Sequence, residues 1–243
     1  MYKLIWEDDF NVDGKVNEKN WNVTYSGSGN GNNEKQFYTD RLVNIFCKDS
    51  LLHIVARKEK FDFKSYTSAK ITTFGKKSIK YGKIEIKAKL PKGKGMWPAF
   101  WMLGENIREV GWPLCGEIDI MENVGRRPDE IHFSLHSKKY NHNLNTHQTF
   151  VESIKGVHDE FHKYTIVWDE SSIKYYVNDK HYITFEKGQE GRDETKEGWP
   201  YYPPYFLIIN LAVGGNFGGE IDDNIFPQTL LVDYVKVYEK NEN

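Results

Sequence analysis

The feature that most constrains this chain is a period of two. In KIEIKAKL (83 to 90), Ile84, Ile86, Ala88 and Leu90 share one face while Lys83, Glu85, Lys87 and Lys89 share the other, the alternation of a half-buried strand. YTIVWDE (164 to 170), IKYYVNDKHYITF (173 to 185) and the closing VDYVKVYEK repeat it, and Asn178-Asp179 falls where a tight hairpin turn takes residues tolerant of positive φ. FLIINLAV (206 to 213) is apolar on both faces and stops at Gly214-Gly215, the pattern of a strand covered on both sides. No stretch carries an i, i+3, i+4, i+7 stripe over several turns, and no internal repeat occurs. The expected class is all-β, a β-sandwich of two antiparallel sheets of the jelly-roll type. A length of 243 residues suits one such domain spanning 1–243.

Composition removes several functions. Thirty-three basic and thirty-five acidic side chains leave a formal charge of -2, too balanced for a nucleic-acid or membrane-surface partner. No apolar run approaches the roughly 18 residues of a membrane span, and MYKLIWEDDF contains no apolar h-region, so no secretory signal is read there. Cys47 and Cys115 stand in no metal-ligand spacing and are expected to be free buried thiols, a single disulfide between them being the alternative. Seven tryptophans and fifteen tyrosines are more flat, polar-edged rings than one core requires, and such rings also stack on sugars.

The chemistry concentrates in GEIDIMEN (116 to 123), where Glu117, Asp119 and Glu122 alternate with Ile118, Ile120 and Met121. Glu117 and Asp119 point to one face of a strand, whereas Glu122, five residues from Glu117, points to the other unless one residue is bulged. At an effective dielectric of about 20, two carboxylates about 5 Å apart repel by roughly 3 kcal/mol. Such a cluster either binds a cation or keeps one carboxyl protonated. Retaining glycosidases need the second outcome, with two carboxyl groups about 5 to 5.5 Å apart serving as nucleophile and acid/base. An acidic solvent face is the commoner meaning of this spacing, but WPAFWMLG (97 to 104) and Trp112 place three tryptophans near the acids, as a sugar-stacking cleft would.

GEIDIMEN resembles the E-x-D-x-x-E signature of glycoside hydrolase family 16, in the bulged form of its laminarinase-like, endo-β-1,3-glucanase branch. NNEKQFYT, YTSAKITT, YGKIEIKAKLPKGKGMWPAFWMLG, LAVGGNFGG and FPQTLLVDYVKVYE resemble further family segments in the family's order, covering nearly the whole chain. The resemblance implies a curved jelly roll with a substrate cleft across its concave sheet. It assigns Glu117 as nucleophile, Asp119 as its orienting partner and Glu122 as acid/base; the acid/base role in turn leads one to expect Glu122 to be the higher-titrating of the pair. It implies that Trp97, Trp101 and Trp112 line the cleft, that Asn33 and Glu34 contact sugar hydroxyls, and that His136 reaches toward the catalytic acid. Asp233 matches the aspartate through which many members hold a structural calcium; no cofactor is implied for catalysis. IHFSLHS departs from the family's G-T-x-H and leaves the neighbouring subsite open, while His132 reads as an ordinary histidine.

The expected function is therefore retaining hydrolysis of internal β-1,3 bonds in a β-glucan, by a secreted monomer, with a cytoplasmic location as the alternative. Mixed-linkage β-1,3-1,4-glucan and a galactan stand as alternative substrates. Transglycosylation and noncatalytic carbohydrate binding are the alternative functions, the latter disfavoured by the intact Glu117 and Glu122. Three loops, 25–34, 140–149 and 188–199, have no reading from sequence.

Overall fold

The computed structural model describes residues 1–241. The strands form two sheets. One has seven strands in the order Gln148–Ser153, Arg127–His136, Glu117–Val124, Met96–Gly104, Tyr205–Val213, Lys70–Thr72 and Asn22–Val23, each antiparallel to its neighbour. The other, with ten strands, is built around Gly82–Lys89 and Gln228–Lys240. The expectation of wholly antiparallel sheets holds except at its edge, where Gln36–Tyr38 runs parallel to Lys64–Ser68. Asn178 and Asp179 take φ of 49° and 68° and close the Ser172–Val177/Lys180–Glu186 hairpin, as their tolerance of positive φ predicts.

The period of two decides what each face does. Ile84, Ile86 and Ala88 of one sheet and Phe100, Met102, Ile118, Leu207 and Ile209 of the other belong to one buried cluster; each of these side chains larger than alanine contributes roughly 1.5–3 kcal/mol by leaving water. On the Met96–Gly104 strand the alternate residues Trp97, Ala99, Trp101 and Leu103 turn away from this core to line a cleft on the seven-stranded sheet. Tyr205–Val213 is buried along its whole length, because Phe206 and Ile208 are covered on the outer face by Leu103, Cys115, Trp101 and Trp112. Cys47 and Cys115 are free and buried.

Asp233 does not suit the calcium implied for it. Its carboxylate is about a third exposed and lies 2.9 Å from the Lys87 ammonium, so a lysine already supplies the compensating charge and a divalent cation there would have to displace it. Among the described residues no group of three or more His, Cys, Asp or Glu side chains able to hold a metal includes Asp233.

Candidate active site

The Glu117–Val124 strand carries the irregularity that its acidic spacing requires. Against the Met96–Gly104 strand, Asp119 pairs with Trp101 but Met121 with the next residue, Phe100, so Ile120 is extra. Against Arg127–His136, Asp119 pairs with Ser134 and Glu122 with His132, leaving two residues opposite Phe133. Ile120 and Met121 are 1% and 0% exposed and both pack into the core. Two successive inward side chains reset the alternation, and Glu117, Asp119 and Glu122 all line the same cleft, of about 370 Å³. Gly116, with φ +76°, delivers the chain to Glu117; a Cβ there would lie 2.1 Å from the Tyr205 hydroxyl, so only glycine fits.

Two tryptophans hold the acids by their edges. The Trp112 indole N–H donates to Glu117 Oε2 at 2.6 Å, and that of Trp97 donates to Glu122 Oε1 at 3.0 Å. Trp101 instead donates to Asn210 Oδ1 at 2.7 Å; Asn210 Nδ2 donates to the Tyr38 hydroxyl at 3.0 Å, and that hydroxyl to Glu34 Oε2 at 3.2 Å. This chain of bonds ties four strands and loops into one cleft floor. Trp112 is half-buried, its ring against the cleft.

All three carboxyls are pushed toward their neutral forms. Burial, then the charge of Asp119, raises Glu117 to about 8, with His136 and the Trp112 bond acting the other way. Glu122 is raised to about 7 by burial and then by Glu117, with His136 and the Trp97 bond opposing. Asp119 is raised well above the usual carboxylate range by burial and then by Glu122. The charge of the neighbouring Asp119 adds to the upward push on Glu117. The upward direction, set by desolvation and like charge, is what acid/base work near neutrality needs.

His136 is not aimed at Glu122. It pairs across the ladder with Glu117, and its Nε2 stands 3.1 Å from Asp119 Oδ2 and 3.9 Å from Glu117 Oε1; the histidine opposite Glu122 is His132, whose ring turns to Glu130 and Phe217. Glu34 lines the cleft, but its Oε2 already accepts from Gln36, Asn30 and Tyr38. Asn33 lies outside the cleft, its amide donating to Asn216 at 2.8 Å, and Asn32 lines the wall in its place. Asn33 itself takes a φ of 55°. Lys70, Asn210, His142 and Asn143 also line the cleft. They were missed because a lone polar residue in a strand or loop carries no signal until its neighbours are known.

The sequence matches glycosyl hydrolases family 16 over residues 39–234. A β-glucanase of Rhodothermus marinus is 40% identical over 98% of this chain and 85% of its own length. The crystal structure of the laminarinase from Flavobacterium sp. UMI-01 superposes with a TM-score of 0.89 at 46% identity, covering 98% of this chain and 100% of that one. The X-ray structure of the laminarinase from Rhodothermus marinus gives a TM-score of 0.95 at 40% identity, covering 100% and 99%. With a jelly roll of two sheets, an acidic bulged strand and similarity running the length of the chain, the protein belongs to glycosyl hydrolases family 16.

Proposed function

We propose that this chain is a retaining endo-β-1,3-glucanase in which residues 1–243 act as one catalytic domain. The observation that carries the reading is the bulge at Ile120 and Met121, which turns Glu117 and Glu122 to the same cleft while each accepts a tryptophan N–H. Glu117 attacks the anomeric carbon as the glycosidic C–O bond breaks, and the Glu122 proton passes to the departing oxygen. Water then adds to the glycosyl ester on Glu117, giving its proton to Glu122, and Glu117 leaves as carboxylate. Burial and the neighbouring Glu117 charge push Glu122 toward its protonated form, the form that general-acid work requires. Glu117 must attack ionised, and the Trp112 bond and His136 are the groups that favour its charge.

The two carboxyls supply both roles of the reaction, so no catalytic cofactor enters it. The substrate class is supported by the relatives, named β-glucanase and laminarinase. A polymeric glucan does not cross membranes, and we place the enzyme outside the cell, as a monomer. Reducing-end release measured side by side on laminarin, lichenan, curdlan and agarose should be fastest on laminarin, with the β-anomer formed first by NMR. Glu117→Gln and Glu122→Gln should each lower turnover at least about a thousandfold. A variant keeping a tenth of the rate, or an α-anomer as first product, would sink the reading.

A further inference from the structure

Two segments, residues 137–147 and 188–199, are bolted together beside the cleft. The Lys139 N–H donates to the Glu197 carbonyl at 3.0 Å, the Asp193 N–H to the Tyr140 hydroxyl at 2.9 Å, and Arg192 Nη1 to the Thr146 carbonyl at 3.3 Å. The Arg192 guanidinium lies over the Tyr140 ring at 4.8 Å, and Lys138 and Lys139 form ion pairs with Glu197 and Asp193. Within the first segment, buried Asn141 donates to the Ser137 and Lys138 carbonyls and accepts from the Asn143 N–H. Trp199, 4% exposed, anchors the second segment through its N–H to the Glu170 carbonyl.

The apex of this wall is His142-Asn143, exposed and lining the cleft. The His142 ring lies 5.2 Å from the Trp112 ring at 33°, and 5.2 Å from the His136 ring at 81°; Trp112 in turn donates to Glu117. Among the described residues, neither the His142 nor the Asn143 side chain hydrogen-bonds within the protein, although the polar groups around them are extensively paired. A segment fixed by so many bonds yet holding two unengaged polar side chains against an aromatic ring presents them to a ligand. A neutral imidazole offers one donor and one acceptor, and an amide offers both, the complement of sugar hydroxyls. Desolvation by the surrounding cleft wall and the neighbouring His136 hold His142 below the usual imidazole value, which favours its neutral form.

We propose that His142 and Asn143 form a saccharide subsite beside Glu117, hydrogen-bonding the hydroxyls of the sugar that contacts Trp112, with Tyr140, Arg192 and Asp193 as positioning residues. This rests on the reading of the cleft as a glucan site. The test is steady-state hydrolysis of laminarin and of defined β-1,3-gluco-oligosaccharides, with thermal melts to confirm folding. His142→Ala should raise KM about five- to twentyfold with kcat changed less than about threefold, the signature of lost uniform binding. His142→Gln, which keeps a donor and an acceptor, should recover part of that loss, while His142→Phe, which keeps the ring against Trp112, should not. Tyr140→Phe, which removes only the hydroxyl held by the Asp193 N–H, should raise KM about two- to fivefold. An unchanged KM in His142→Ala, or full rescue by His142→Phe, overturns the subsite while wild-type hydrolysis leaves the glucanase reading standing. A wild-type protein that neither cleaves nor binds laminarin overturns both.

Discussion

The indole N–H of Trp112 lies 2.6 Å from Glu117 Oε2, so the ring proposed to face the sugar also holds the carboxyl proposed as nucleophile. Stacking surface and nucleophile orientation are therefore one feature, and a substitution can separate them. Trp112→Phe keeps an aromatic face and removes the donor. Because that bond lowers the Glu117 pKa, its loss raises the pKa, and less of the carboxylate form exists on the acid side. The acid limb of kcat/KM against pH should move to higher pH, with kcat down about ten- to a hundredfold, as for other single donors to a reacting charge. An unmoved limb would detach Trp112 from Glu117.

The buried acids also make the fold pH-sensitive in a defined direction. An unfolded glutamate titrates near about 4.3, whereas Glu122 and Glu117 are raised to about 7 and about 8 in the fold. Folding favours their protonated forms, so this contribution is full below about pH 4.3 and is lost as pH rises through the folded values. Glutamine removes the ionisation. Glu117→Gln and Glu122→Gln should gain Tm relative to wild type by about 2–5 °C more at pH 8.5 than at pH 5, on the usual scale of such changes. Equal gains at both pH values in differential scanning calorimetry would contradict the raised pKa values.

The bulge predicts a ranking. Deleting Met121 leaves E-I-D-I-E, in which plain alternation aligns the acids, at the cost of one fully buried side chain, roughly 2–5 kcal/mol for a methionine-sized loss. Inserting a residue after Ile120 demands a second irregularity against two neighbouring strands. Both variants should be impaired, the deletion less so. Greater activity in the insertion, with both folded by circular dichroism, would be the contrary result.

Chelation should leave stability alone. Because Lys87 neutralises Asp233, excess EDTA should shift Tm by less than about 1 °C, whereas removing a ligand bound only by the native state lowers it. A drop of several degrees would restore a cation site to this protein.

What the sequence determined by itself is what depends on near neighbours. The alternation of Ile84, Ile86 and Ala88 sorts a strand into core and solvent faces wherever that strand pairs, and Asn178-Asp179 closes its hairpin because its own φ preferences suffice. The three acids were legible for the same reason: five steps between Glu117 and Glu122 place them on one face only if a residue is bulged, and the ladder shows that irregularity. The tertiary structure decided everything that joins distant segments. Trp101, Asn210 and Tyr38 form one hydrogen-bonded floor across sequence separations of 109 and 172 residues. Lys87 reaches Asp233, Asn32 replaces Asn33, His136 meets Asp119 and not Glu122, and the 137–147 and 188–199 segments brace each other. A side chain's partner depends on which strands become neighbours and in what register, and that follows from packing two whole sheets around a common core, which no local pattern encodes.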